Sequence, residues 1–127
     1  MRAVDTNVLV RLVTRDNPRQ VAVADAFIAR GAWVSHLVLA EAARVLASVY
    51  DRAPQSIATA VEMLLNHQHL TLQDPEVVAA AAAAFRRRPA LGFSDCLVLE
   101  IARKAGHLPL GTFDHDLSKL AGVETLM

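Results

Sequence analysis

One cysteine, Cys96, is all this chain carries, so no disulfide can form within it, and the scarcity suits a reducing cytoplasm. Aromatic residues make up only 5% of the chain. Charge of one sign is also missing, because 13 Lys and Arg balance 13 Asp and Glu. Net charge therefore makes no case for nucleic acid or for an acidic substrate, although a balanced total still permits a basic face. No apolar run is long enough to span a bilayer and no signal-peptide pattern opens the chain, so a membrane is not expected among its partners. What is present is a 127-residue chain, 54% hydrophobic and 20% charged, which describes one compact domain over residues 1–127. Chains this small and apolar commonly associate.

Taken in order, the chain alternates short apolar runs with amphipathic stretches. Ala3-Val4 reads as a buried strand, followed by a helix from about Val8 to Val13 capped by Thr6 or Asn7. Asp16-Asn17-Pro18 breaks it and starts a second helix, about Arg19 to Arg30, which Gly31 stops. Ala32-Trp33-Val34 is a second strand, and Ser35 caps a long helix from Leu37 to Tyr50. Pro54 or Gln55 opens a helix through Asn66, and His69 to Leu72 is a third strand. Asp74-Pro75-Glu76 begins a helix with a capping acid, containing the alanine run 79–84 and ending at Arg86-Arg87-Arg88-Pro89. Gly92 to Asp95 leads into a helix from Cys96 to Ala105. Leu108 to Thr112 is a fourth strand weakened by Pro109, Asp114 to Leu120 a short helix, and Val123 to Leu126 a fifth strand. Strands separated by helices imply an α/β domain, a parallel sheet covered by helices on both faces.

Four carboxylates occupy positions where an acid needs a reason. Asp5 follows the first strand, at the edge where open α/β sheets bind ligands. Glu41 lies among apolar neighbours, where an acid costs stability without a partner. Asp95 begins a helix, and Asp114 follows the fourth strand with Asp116 close behind. Singly, each has a plain explanation: a cap, a helix-dipole acid, or a partner for Arg44 or Arg11. Together they suggest a shared pocket. Carboxylates gathered in one place repel each other unless a cation is present. Oxygen-only ligands, with no nearby cysteine and no zinc-like histidine spacing, favour Mg²⁺ or Mn²⁺. Ions held this way activate water and stabilise charge on phosphate oxygens.

The motifs Val4-Asp5-Thr6-Asn7-Val8-Leu9, then Glu41, then Phe93-Ser94-Asp95-Cys96-Leu97, then Thr112-Phe113-Asp114-His115-Asp116-Leu117 resemble the PIN domain in order and spacing. The likeness is greatest to small VapC-type toxins of bacterial toxin–antitoxin pairs. It implies a Mg²⁺- or Mn²⁺-dependent ribonuclease with a three-layer fold, its parallel sheet ordered 3-2-1-4-5 and flanked by helices. It implies that Asp5, Glu41, Asp95 and Asp114 are the catalytic and metal-binding acids. Thr6, Asn7 and Thr112 would orient them, and Asp116 stands beside Asp114 as the other acid of the doublet. A metal-activated water would then attack the phosphodiester. The same resemblance implies RNA as substrate, a homodimer, and a cognate antitoxin whose arginine enters the acidic pocket, with an apolar groove near Phe27, Val45 and Leu46 to receive it. Leu117 departs from the aromatic residue common at that place in the last motif.

Positive charge for RNA would come from Arg11, Arg15 and Arg19, or from Arg86, Arg87 and Arg88, the latter also explained as a solvated helix end. Competing readings are a phosphatase forming an aspartyl-phosphate, disfavoured by Asn7 where a second acid is usual, and a receiver domain, disfavoured because Lys119 lies inside a helix. A binding module that keeps the pocket without activity also competes.

Overall fold

The computed structural model describes the whole chain, Met1–Met127. Strand β1 (Arg2–Ala3) leads to helices α1 (Thr6–Thr14) and α2 (Pro18–Ile28), then β2 (Ala32–Val34). Helices α3 (His36–Ser48) and α4 (Pro54–Leu65) precede β3 (Leu70–Leu72). Helix α5 (Pro75–Arg87), a 3₁₀ turn (Pro89–Leu91) and α6 (Phe93–Ala105) lead to β4 (Leu110–Thr112), a second 3₁₀ turn (Leu117–Lys119) and β5 (Val123–Thr125).

Local chemistry accounts for most of the boundaries. The Val38 N–H donates to Ser35 Oγ at 3.1 Å, and the Gln20 N–H donates to Asn17 Oδ1 at 3.1 Å, so each side chain satisfies a donor that the first helical turn leaves open. Helix α1 begins earlier than expected, because Asp5 is its cap rather than Thr6 or Asn7. Helix α6 begins at Phe93 rather than Cys96, with Gly92 supplying the turn at φ +82. Helix α3 stops at Ser48, short of Tyr50, whose hydroxyl is engaged by Arg11 and Asp16. Asp74 precedes α5 in the left-handed region and makes no capping bond with its side chain; it faces Lys104 instead. The expected helix from Asp114 to Leu120 shrinks to a 3₁₀ turn, because Asp114 Oδ1 takes the N–H groups of Asp116 and Leu117.

All the strand pairs are parallel. One ladder has the order β1-β2-β3 and a second joins β4 to β5. Three of the four neighbour pairs expected from the order 3-2-1-4-5 are therefore found, in two pieces, and the fourth is not: no backbone hydrogen bond joins β1 to β4. Strand β1 is two residues long before Asp5 turns the chain into α1, and Pro109 has no N–H to offer at the entry to β4. On one face of the first ladder Ala32, Val34, Leu70 and Leu72 are buried under helices. Cover on the second face is incomplete, since Ala3, Trp33 and Thr71 stay exposed there.

The core draws on every helix, and no polar or charged residue is buried in it. In α3 the buried stripe is Leu39, Ala42, Ala43 and Leu46, which places Glu41 on the outer side of that helix. The alanine run of α5 is explained by packing: Ala81 and Ala82 are fully buried, which lets α4 and α6 approach closely on either side. Helix α3 packs on both α1 and α6, and so forms a wall between the first and the third acidic motifs.

Candidate functional site

Asp5 stands where β1 gives way to α1. Its Oδ1 accepts the Val8 N–H at 3.1 Å, and its other oxygen makes no hydrogen bond within the chain. One turn of local structure therefore fixes the carboxylate and leaves half of it free. The next residue reaches across to α3: the Thr6 hydroxyl donates to Glu41 Oε2 at 3.1 Å. Thr6 thus supports Glu41 rather than Asp5, whereas the Asn7 side chain makes no hydrogen bond to any acid. Both Asp5 and Glu41 are exposed.

The other two acids form a second pair. Asp95 occupies the first turn of α6, half-buried, and its carboxyl is held above the ordinary carboxylate range. Burial is the main cause and repulsion from Asp114 the second, so the two acids feel each other across the gap between α6 and the exit of β4. Asp114 is held at both ends, its N–H donating to Thr112 Oγ1 at 3.0 Å and its Oδ1 accepting from Asp116 at 2.9 Å. Thr112 thus positions the backbone of Asp114, not its carboxylate. Asp116 turns outward to Lys119, with 3.6 Å between Oδ1 and Nζ.

Ion pairing engages seven of the 13 acids, Asp16, Asp25, Glu62, Asp74, Glu76, Glu100 and Asp116; Asp5, Glu41, Asp95 and Asp114 are unpaired, as are the exposed Asp51 and Glu124. The bland partners for Glu41 fail in particular: Arg44 is unpaired, and Arg11 is committed elsewhere. The donor chemistry fits a hard divalent ion, since the set is carboxylate only and a cation would relieve the Asp95–Asp114 repulsion. No three acids converge closely enough to ligate one ion by themselves. Mg²⁺ is commonly held by one or two carboxylates with water and phosphate oxygens completing the shell, and Asp95 with Asp114 supplies that number. Cys96 contributes no nucleophile: it is buried, and its thiol is pushed up to about 11 by burial, Asp95 and Glu100.

The expected basic residues divide sharply. Arg11 donates to Gln20 Oε1 at 2.6 Å, Tyr50 Oη at 2.7 Å and Asp16 Oδ1 at 3.1 Å, a knot that ties α1 to α2 and to the end of α3. Arg15 holds Asp25, and Arg86 clasps Glu62, Thr59 and Gln55 on α4. Arg19, Arg87 and Arg88 are exposed and unpaired.

Two grooves open beside the acids. One, of about 650 Å³, runs from Asp5 between β1, α1 and α2 and is lined by Val8, Val23 and Phe27. The anticipated apolar groove thus includes Phe27, but Leu46 is buried in the core and Val45 packs against it. The other, of about 350 Å³, runs from Asp95 between α3, α4 and the first 3₁₀ turn, past Arg44 and Arg52. Sequence reasoning considered Arg44 only as a partner for Glu41 and missed Arg52, because each is an isolated cation on an unremarkable stretch.

Neither a curated protein nor a solved structure matches the chain. No helix is long and apolar enough to cross a membrane. The family model for the PIN domain matches residues 2–123 and so takes in all four acids. That domain is a nuclease fold, generally dependent on divalent metal ions. Matched over nearly its whole length and built from parallel strands between helices, the chain belongs to the PIN-domain family.

Proposed function

We propose that the chain is a Mg²⁺- or Mn²⁺-dependent endoribonuclease, acting in the cytoplasm as the toxin of a VapC-type toxin–antitoxin pair. Asp5, Glu41, Asp95 and Asp114 would hold the metal. The observation that carries this reading is the repulsion between Asp95 and Asp114 with no cation paired to either, at acids that the PIN-domain match takes in together with the equally unpaired Asp5 and Glu41. An ion bound among them supplies Lewis acidity to a phosphate and lowers the pKa of a water. The chain's own work is positional. The Val8 N–H fixes one oxygen of Asp5, Thr6 steadies Glu41, and Thr112 holds the backbone from which Asp114 projects.

The groove lined by Val8, Val23 and Phe27 suits the apolar face of an antitoxin helix, with an arginine at the Asp5 end taking the place of the missing cation. A homodimer is part of the same proposal. A second reading, a PIN-like binding module without activity, is favoured by the lack of any three acids close enough to share one ion. Cleavage of structured RNAs by partner-free protein, with Mn²⁺ or with chelator, decides between them. Metal-dependent cleavage that vanishes in Asp5→Asn and Asp95→Asn establishes the nuclease. RNA retention without any cleavage establishes the module, and equal cleavage by the variants exposes a contaminant.

A further inference from the structure

Six of the 13 cations, Arg11, Arg15, Arg86, Arg103, Lys104 and Lys119, sit in ion pairs within the fold. Arg44 and Arg52 do not, and neither side chain makes a hydrogen bond within the chain. They line the same groove, and Asp95 and Ser94 stand at its mouth. Arg44 is three residues beyond Glu41 on α3, a spacing at which the two side chains can pair along a helix, yet Glu41 takes its hydrogen bond from Thr6 instead. Arg52 is presented from the α3–α4 connection, whose backbone is pinned by its N–H to Leu46 O at 2.9 Å. The Ser94 hydroxyl is likewise without a partner in the chain.

We infer that the groove between α3, α4 and the Pro89–Leu91 turn carries the single-stranded RNA flanking the cleaved bond, with Arg44 and Arg52 gripping its phosphates. The inference rests on the nuclease reading for which end of the groove is reactive. Charge complementarity selects the occupant. Two guanidinium forks with no internal partner match phosphate oxygens, and the acids at the mouth would be repulsive to the same strand unless screened by a metal. The groove leading from Asp5 offers one such guanidinium, Arg19, because its Arg11 is already committed to Asp16, Gln20 and Tyr50. Buried Phe85, Leu91 and Phe93 make the floor rigid, so the strand meets a preformed trough.

Fluorescence anisotropy with a labelled oligouridylate, in chelator so that no cleavage intervenes, tests the assignment. Arg44→Gln with Arg52→Gln should weaken binding about tenfold or more and flatten the log–log salt dependence by about 1.4, two phosphate contacts on a single strand. Its melting temperature should match wild type, since neither side chain has a partner to lose. Arg87→Gln with Arg88→Gln, an equal charge change outside the groove, should have the smaller effect. Arg44→Lys with Arg52→Lys should recover the salt slope. An unchanged slope in the groove variant, an equal or larger loss in the Arg87 and Arg88 variant, or no binding by wild type overturns the inference. Asp95→Asn should bind at least as tightly as wild type yet not cleave. Persistent cleavage by that variant would sink the nuclease reading, while the anisotropy still judges the groove.

Discussion

The groove leaving Asp5 and the groove leaving Asp95 are built from opposite materials. The first is the larger and is walled by apolar side chains such as Val23, 66% exposed, with one of its two arginines, Arg11, tied into a structural knot and Arg19 left free. The second is smaller and holds two arginines with nothing to bind. Exposed apolar surface is favourable to cover and insensitive to salt, whereas free guanidinium groups attract phosphate and are screened by salt. Two ligand chemistries can therefore be served by separate walls, one beside Asp5 and one beside Asp95.

Breaking the comparison at the acids should give the largest effect. Asp95→Asn should lower RNA cleavage by about 100-fold or more, at least the cost of losing a group that supports a metal ligand, as measured by initial rates in Mn²⁺. Next comes the apolar wall. Val23→Asp should weaken antitoxin capture by about tenfold or more while leaving cleavage by the free protein unchanged, because Val23 is far more exposed than a core residue. Calorimetry of the complex beside a cleavage assay separates the two. If antitoxin binding ignores Val23 and fails on loss of Arg44, the two walls have been assigned the wrong way round.

Smaller effects refine what Asp5 does. Asp5→Ala should cost about 1 kcal/mol in thermal unfolding through the lost cap, whereas Asp5→Asn should cost a few tenths, since asparagine caps comparably. Equal losses in both would mean that capping is not the structural role of Asp5. The smallest effects are those of pH. Burial and Asp114 raise the Asp95 carboxyl above its unfolded value, so the folded state holds that proton more tightly. Ionising it costs stability that is absent below the ordinary carboxylate pKa, about 3.9, and fully present above the raised one. Asp95→Asn should then melt above wild type at neutral pH in chelator, with the gap closing in acid. Glu62 runs the other way: Arg86 holds it below the ordinary range, so it adds stability that is lost as pH falls through its folded value. Glu62→Gln should melt below wild type at neutral pH and converge with it in strong acid.

Much of this molecule was legible along the chain. Ser35 and Asn17 announce helix starts because a short acceptor side chain just before an amphipathic stretch has one obvious use. The acids were conspicuous for a similar reason, Asp5, Asp95 and Asp114 standing at a strand exit or helix start and Glu41 among apolar neighbours. Less legible were the roles of their neighbours. Thr6 and Asn7 are adjacent and chemically alike as supports, yet only Thr6 reaches an acid, and that acid is on α3. Arg11, Arg15 and Arg86 looked as available as Arg44 and Arg52, and all three are consumed by partners 5 to 39 positions away.

Sequence alone determined the alternation of strands and helices, the parallel pairing it demands, and which carboxylates stand at element ends, because periodicity, caps and breakers act over a few residues. Tertiary structure decided which charges are free. An ion pair is a relation between two places in space, and spacing along the chain does not reveal whether Asp16 or a phosphate will meet a given guanidinium. That same packing joined Glu41 to Thr6, set Asp95 against Asp114, and left Arg44 and Arg52 facing a groove instead of an acid.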